Sequence, residues 1–122
     1  MKKSTLLLTC LLLFIGGCAV QQSGHNKASQ FPETISAGKY YEVCAHAQPS
    51  QVLSFKVEAS EPVTYDVHYH NERHGISYLI QDKSASATGT VTAPIETTYC
   101  LFITNTGSGP VGVRAQLTAG LH

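Results

Sequence analysis

The segment PVTYDVHYH, residues 62–70, alternates apolar or aromatic side chains with polar ones from Val63 onward. Successive side chains of a β-strand point to opposite faces, so this alternation predicts a strand with one buried and one polar face. The buried face would carry Val63, Tyr65, Val67 and Tyr69. The polar face would carry Thr64, Asp66, His68 and His70. The segment therefore favours a sheet that packs on one side only.

Similar segments recur on both sides of this one, separated by turn-forming residues about every eight to twelve positions. The predicted strands are residues 39–47, 51–59, 63–70, 75–81, 87–93, 97–105 and 111–118. The predicted turns are residues 48–50, 60–62, 71–73, 82–84 and 105–110, which are rich in Pro, Gly, Asn, Asp and Ser. No segment after Cys18 shows apolar residues at helical spacing. The pattern predicts an all-β domain over residues 37–120, an antiparallel β-sandwich of about seven strands.

The chain has 122 residues, which is enough for one domain with its own core. Eight Lys and Arg side chains balance eight Asp and Glu side chains, and no basic run occurs. A nucleic-acid-binding surface needs clustered positive charge. The composition therefore excludes nucleic acid as an expected partner.

The N-terminus has the order of a secretory signal. Lys2 and Lys3 precede an apolar run of about ten residues, whereas a membrane-spanning helix needs roughly 20. The run ends in Ile15-Gly16-Gly17-Cys18, which resembles a bacterial lipobox. The resemblance implies that residues 1–17 are a lipoprotein signal peptide and that Cys18 is lipidated. An ordinary cleavable signal that leaves Cys18 as a free thiol is the alternative.

Residues 18–36 are predicted to be the lipidated N-terminus and a flexible tether, because they are mostly small and polar. In lipoproteins the residue after the lipidated cysteine influences sorting, and here it is Ala19. The resemblance implies an anchor in the outer membrane facing the periplasm. The expected partners are the membrane, through the lipid, and envelope proteins.

Two cysteines remain outside the signal and the lipidation site, Cys44 and Cys100. Exported proteins fold in an oxidising environment, so the pair is predicted to form a disulfide. It would join the first and sixth predicted strands, either across the sandwich or along one sheet. Two separately buried thiols are the alternative.

The strand with Cys44, residues 62–70 and the segment YCLFITNTGSGPVGVRAQL at residues 99–117 together resemble a GOLD-type β-sandwich. In that family an early cysteine pairs with one in a late strand, although here Cys100 follows Tyr99 directly. The His68-Tyr69-His70 strand end is also similar to that of small uncharacterised exported bacterial proteins. GOLD-like domains generally act as protein or lipid interaction modules, so the resemblance implies binding without catalysis.

The candidate metal ligands are Asp66, His68, His70 and His74. Residues two apart on a strand project from one face about 6.5–7 Å apart, so His68 and His70 would reach one ion. Imidazole with carboxylate suits zinc or copper. Glu72 belongs to the same cluster, and His46 is a remoter candidate. The same residues would also serve as an ordinary polar face, or as a surface that responds to pH.

Catalysis is not expected, because the chain has no Gly-x-Ser-x-Gly elbow and a bridged cysteine cannot act as a nucleophile. Three functions are carried forward. The first is a lipid-anchored, non-catalytic binding or envelope-accessory domain without a cofactor. The second is a zinc- or copper-binding protein using His68 and His70. The third is a small hydrolase, for which the sequence shows no nucleophile.

Overall fold

The computed structural model describes residues 28–120, and the predicted signal peptide, Cys18 and the first half of the predicted tether lie outside them. The strands are β1 (Glu33–Ile35), β2 (Tyr40–Ala47), β3 (Val52–His70), β4 (Ile76–Thr92), β5 (Thr97–Thr104) and β6 (Val111–Ala119). Helical backbone in the described range is confined to residues 28 and 29. No helix in this range is long and apolar enough to cross a membrane. The all-β, antiparallel fold is confirmed.

The long β3–β4 hairpin is shared by both halves of the sheet. β4 pairs with β3 along most of its length. The other edge of β3 pairs with two strands in turn. Its first half pairs with β6, beginning at Leu53, which is opposed to Ala119. The second half of β3 pairs instead with β5, which in turn pairs with β2. The sheet therefore curls into two faces that enclose one core.

Two predicted turns are wrong. Residues 60–62 and 82–84 lie inside β3 and β4, so four of the predicted strands merge into two. Between Glu58 and Val63, β3 advances five residues while β4 advances two. This β-bulge bends the strand without reversing it, and bulges accommodate Pro because the extra residues are left out of the ladder. The structure also adds β1, which lies in the segment predicted to be tether.

The core is formed by alternate residues of β3, β5 and β6, and it includes Val63, Tyr65 and Val67 of the predicted buried face. From β3 it receives Leu53, Phe55, Val57, Val63, Tyr65 and Val67. From β5 and β6 it receives Tyr99, Leu101, Ile103, Val111, Val113 and Leu117. Full burial of such a side chain contributes about 1.5–3 kcal/mol. Because β3 bends, the residues on both sides of the bend point into the same core.

The ring of Phe55 lies directly over Gly89 on β4. A Cβ atom at Gly89 would lie 2.7 Å from Cζ of this ring, closer than carbon atoms can approach. On its other side Phe55 packs near Tyr65, with ring centroids 5.9 Å apart. Gly89 is therefore required by the packing of the core and not by a special backbone conformation.

We expect Gly89→Ala to lower the free energy of unfolding by about 1–3 kcal/mol, because it overpacks a filled core. Denaturant unfolding of the purified chain measures the change. Gly109→Ala is the matched control, since a Cβ there would meet nothing within 4 Å. Adding Phe55→Leu to Gly89→Ala should recover part of the loss. Equal stability of the two alanine variants would contradict the packing argument.

Candidate functional site

The candidate site lies on the outer face, which we define as the non-core side of β2, β5, the second half of β3 and the first half of β4. Directly opposed residues of paired strands share a face, so the register aligns them in rows. One row consists of Cys44, Cys100, His68 and Tyr78. The neighbouring row consists of Glu42, Phe102, Asp66 and Gln81. Four strands thus bring together residues that lie far apart in the sequence.

A cavity of about 200 Å³ opens on the outer face. It is lined by Glu42, Asp66, His68, His70, Ile76, Tyr78 and Phe102. It combines two carboxylates and two imidazoles with aromatic and aliphatic walls. This cavity offers charged groups that could contact a small polar ligand or an ion, and its walls partly exclude water.

The imidazole of His68 is buried between two carboxylates, with only 5% of the residue exposed. Its Nδ1 lies 2.5 Å from Oδ1 of Asp66, the distance of a strong hydrogen bond in which the ring nitrogen donates. Its Nε2 lies 3.9 Å from Oε2 of Glu42, too far for a hydrogen bond. When the ring is neutral, Nε2 therefore carries a lone pair, and this lone pair faces the space next to the Glu42 carboxylate.

Aromatic rings surround His68. The ring centroids of Tyr78, Phe102 and His70 lie 6.0, 5.9 and 5.4 Å from its own, all in edge arrangements. Tyr40 stacks on Phe102 at 4.7 Å and is itself 63% exposed. These rings exclude water from the imidazole, which strengthens its electrostatic interactions with nearby groups.

Cys44 and Cys100 form the predicted disulfide, and they do so along one sheet and not across the sandwich. The two residues are directly opposed in the β2–β5 ladder, and their Cα atoms lie 4.1 Å apart. Cys44 is exposed, whereas Cys100 is buried, with 8% of the residue exposed. The bond closes a loop of about 57 residues, for which the chain-entropy model gives roughly 4 kcal/mol as an upper value.

The structure gathers three of the four predicted metal ligands. Asp66, His68 and His70 line the cavity, with Asp66 acting as the hydrogen-bond partner of His68. His74 is exposed in the turn after β3, where its φ of 61° is left-handed, and it does not line the cavity. Glu72 is exposed in that same turn, and the remoter candidate His46 pairs with Glu96 at 3.2 Å.

Glu42, the second carboxylate near His68, is not predicted from the sequence. Strand alternation places Glu42 on the same face as Cys44, two residues later in β2. A disulfide between neighbouring strands then sets β2 beside β5, and β5 lies beside β3. The sequence therefore contained the information that places Glu42 near His68. Using it required knowing that the disulfide joins neighbouring strands of one sheet and does not cross the sandwich.

No protein-family model and no curated protein sequence matches the chain. The outer face carries three chemically distinctive groups on neighbouring strands. They are the imidazole of His68 held by Asp66, the carboxylate of Glu42 and the Cys44–Cys100 disulfide.

We expect the proton of neutral His68 to reside on Nδ1, because the hydrogen bond to Asp66 selects that tautomer. Nitrogen-15 NMR of the ring in mildly alkaline buffer distinguishes the two nitrogens directly. Asp66→Ala should move the proton toward Nε2, whereas Asp82→Ala, an exposed carboxylate on β4, should leave the tautomer unchanged. A proton on Nε2 in the unaltered chain would contradict the assignment.

Proposed function

We propose that this chain is a lipid-anchored protein of the bacterial cell envelope whose β domain binds a ligand without catalysing a reaction. The lipobox-like sequence supports the anchor at Cys18, and Ala19 favours the outer membrane facing the periplasm. The GOLD-like resemblance supports an interaction role for the domain. Its partners would be the membrane, through the lipid, and either another envelope component or a small ligand at the outer face.

The observation that carries a binding role is the cavity around His68. A hydrolytic site needs a nucleophile within hydrogen-bond reach of its general base. In the described part of the chain, the side chains that pair with the ring nitrogens of His68 are carboxylates, those of Asp66 and Glu42. A carboxylate facing Nε2 suits the binding of a cation better than the activation of a hydroxyl group.

A transition-metal ion is the second candidate, and one specific distance favours it. Zinc lies about 2.0–2.2 Å from imidazole nitrogen and carboxylate oxygen ligands. The 3.9 Å between Nε2 of His68 and Oε2 of Glu42 lets one ion contact both atoms. Asp66 would then orient the ligand from behind, as carboxylates commonly do for metal-binding histidines. His70, at the cavity edge, is the further ligand that the sequence predicts.

The anchor is tested by Cys18→Ser. We expect most of the protein to move from the membrane fraction to the soluble fraction, because the residue that would carry the lipid is gone. Cell fractionation and immunoblotting measure the distribution. Cys10→Ala, a change within the apolar run of the signal, should leave the protein in the membrane. Retention of the Cys18→Ser variant in membranes would contradict lipidation.

Metal binding is tested by titrating zinc or copper(II) into the untagged full chain, kept oxidised and dissolved in detergent. We expect one ion to bind with a dissociation constant of about 10 μM, or roughly −7 kcal/mol, because the site offers few ligands. Calorimetry measures the affinity. Glu42→Gln and His68→Ala should each weaken it at least about tenfold, which is 1.4 kcal/mol.

His74→Asn is the matched control, since His74 lies outside the cavity and Asn tolerates its left-handed backbone. Its affinity should equal that of the unaltered chain. Loss of binding in this variant, or full binding in His68→Ala, would place the ion elsewhere and leave the outer face as a site for a different ligand.

A further inference from the structure

The described residues contain one group of three potential metal ligands close enough to share an ion, and it includes the disulfide. A carboxylate oxygen of Glu42 and the Sγ atoms of Cys44 and Cys100 all lie within 4.8 Å of one another. His68 lies outside this group but next to it, because it is opposed to Cys100 in the β3–β5 ladder and its Nε2 lies 3.9 Å from Oε2 of Glu42. In the oxidised chain both sulfur atoms are bonded to each other. They therefore cannot act as thiolate ligands.

The disulfide is open to thiol exchange from one side. Cys44 is exposed, whereas Cys100 is buried and is opposed to His68 in the β3–β5 ladder. An incoming thiolate would attack Sγ of Cys44, and the bond would break with Sγ of Cys100 leaving as a thiolate. The second thiol of the same reagent would then displace Cys44 from the mixed disulfide. Two electrons pass to the protein, which gains two thiols, while the dithiol becomes a disulfide.

We propose that reduction of the Cys44–Cys100 bond by a dithiol creates a zinc site formed by Cys44, Cys100, Glu42 and His68. The inference rests on the metal-binding function proposed above and deepens it by adding two thiolates to the same outer-face site. Two sulfurs, one nitrogen and one oxygen make a donor set that zinc accepts in tetrahedral geometry. Asp66 is a positioning residue, which holds Nε2 of His68 toward the ion.

The ligands remain together after the bond is broken because the backbone already holds them. β2 and β5 are aligned over eight directly opposed residue pairs, of which the cysteines are one. β5 continues that ladder into β3, where His68 is fixed by its hydrogen bond to Asp66. The thiols thus stay on neighbouring strands, and zinc needs only side-chain movement to contact all four ligands.

The test compares zinc affinity of the untagged full chain in detergent before and after treatment with a dithiol that is then removed without air. We expect reduction to tighten zinc binding at least about 100-fold, because thiolates are among the strongest ligands for zinc. Cobalt(II) in place of zinc should show thiolate-to-metal charge-transfer absorption in the reduced chain and none in the oxidised chain.

The control is Cys44→Ala, which cannot form the Cys44–Cys100 disulfide in either condition and retains only one of the two sulfur atoms of the proposed site. It should bind zinc with similar affinity before and after reduction, and far more weakly than the reduced unaltered chain. Circular dichroism of both proteins shows whether loss of the bond unfolds the domain. If it does, zinc should restore the strand signal of the unaltered chain, and Glu42→Gln and His68→Ala should impair that recovery.

Two results would overturn the inference. One is a reduced chain that binds zinc no more tightly than Cys44→Ala. The other is full affinity in both the Glu42→Gln and the His68→Ala variants of the reduced chain, since a disordered pair of thiols would be indifferent to those residues. Failure of zinc binding in the oxidised chain alone contradicts only the metal site proposed above for that state, so the two outcomes are distinguishable.

Discussion

Strand β3 hydrogen-bonds with three other strands, and its alternation decides which side chains enter the core. It pairs with β4 on one side and with β6 and then β5 on the other. A slip of one residue in this register would exchange the two faces. Asp66 and His68 would then replace Val67 and its neighbours in the apolar interior, where unpaired polar groups cost several kcal/mol. The pattern that fills the core therefore also fixes the site on the opposite face.

The bulge in β3 is what allows one strand to serve both halves of the sheet. Ala59 pairs with Val113 on β6, and the hydroxyl of Ser60 accepts a hydrogen bond from the backbone N–H of Gly112 at 2.9 Å. Phe55 and Tyr65 come from opposite sides of the bend and pack near each other in the core. The bend thus converts a single amphipathic pattern into two faces that pack together. Without it, the hairpin would be too long and straight for such a small core.

The sequence predicted the core positions Val63, Tyr65 and Val67 because alternation is a local signal of strands. It failed at residues 60–62 and 82–84, since Pro, Ser and Asp favour a bend as readily as a reversal. Only pairing with distant strands distinguishes the two outcomes. The site was predicted in part for the same reason: Asp66, His68 and His70 lie on one strand, whereas Glu42 reaches them across β5. To predict which residues other strands contribute to the site, the order of the strands in the sheet must be known. Alternation carries no information about that order.

Zinc and oxidation would compete for the same two sulfur atoms on the outer face. A ligand that binds the dithiol form more tightly than the disulfide form stabilises the dithiol form by mass action, so zinc would oppose oxidation and oxidation would weaken zinc binding. The disulfide joins β2 to β5, whereas a zinc ion held by Cys44, Cys100, Glu42 and His68 would join both of them to β3 as well. The edge strand β2 is cross-linked in either state, by a covalent bond in one and by an ion in the other. The domain would therefore exchange one cross-link for another as its redox state changes, and the ladders between these strands need not change register.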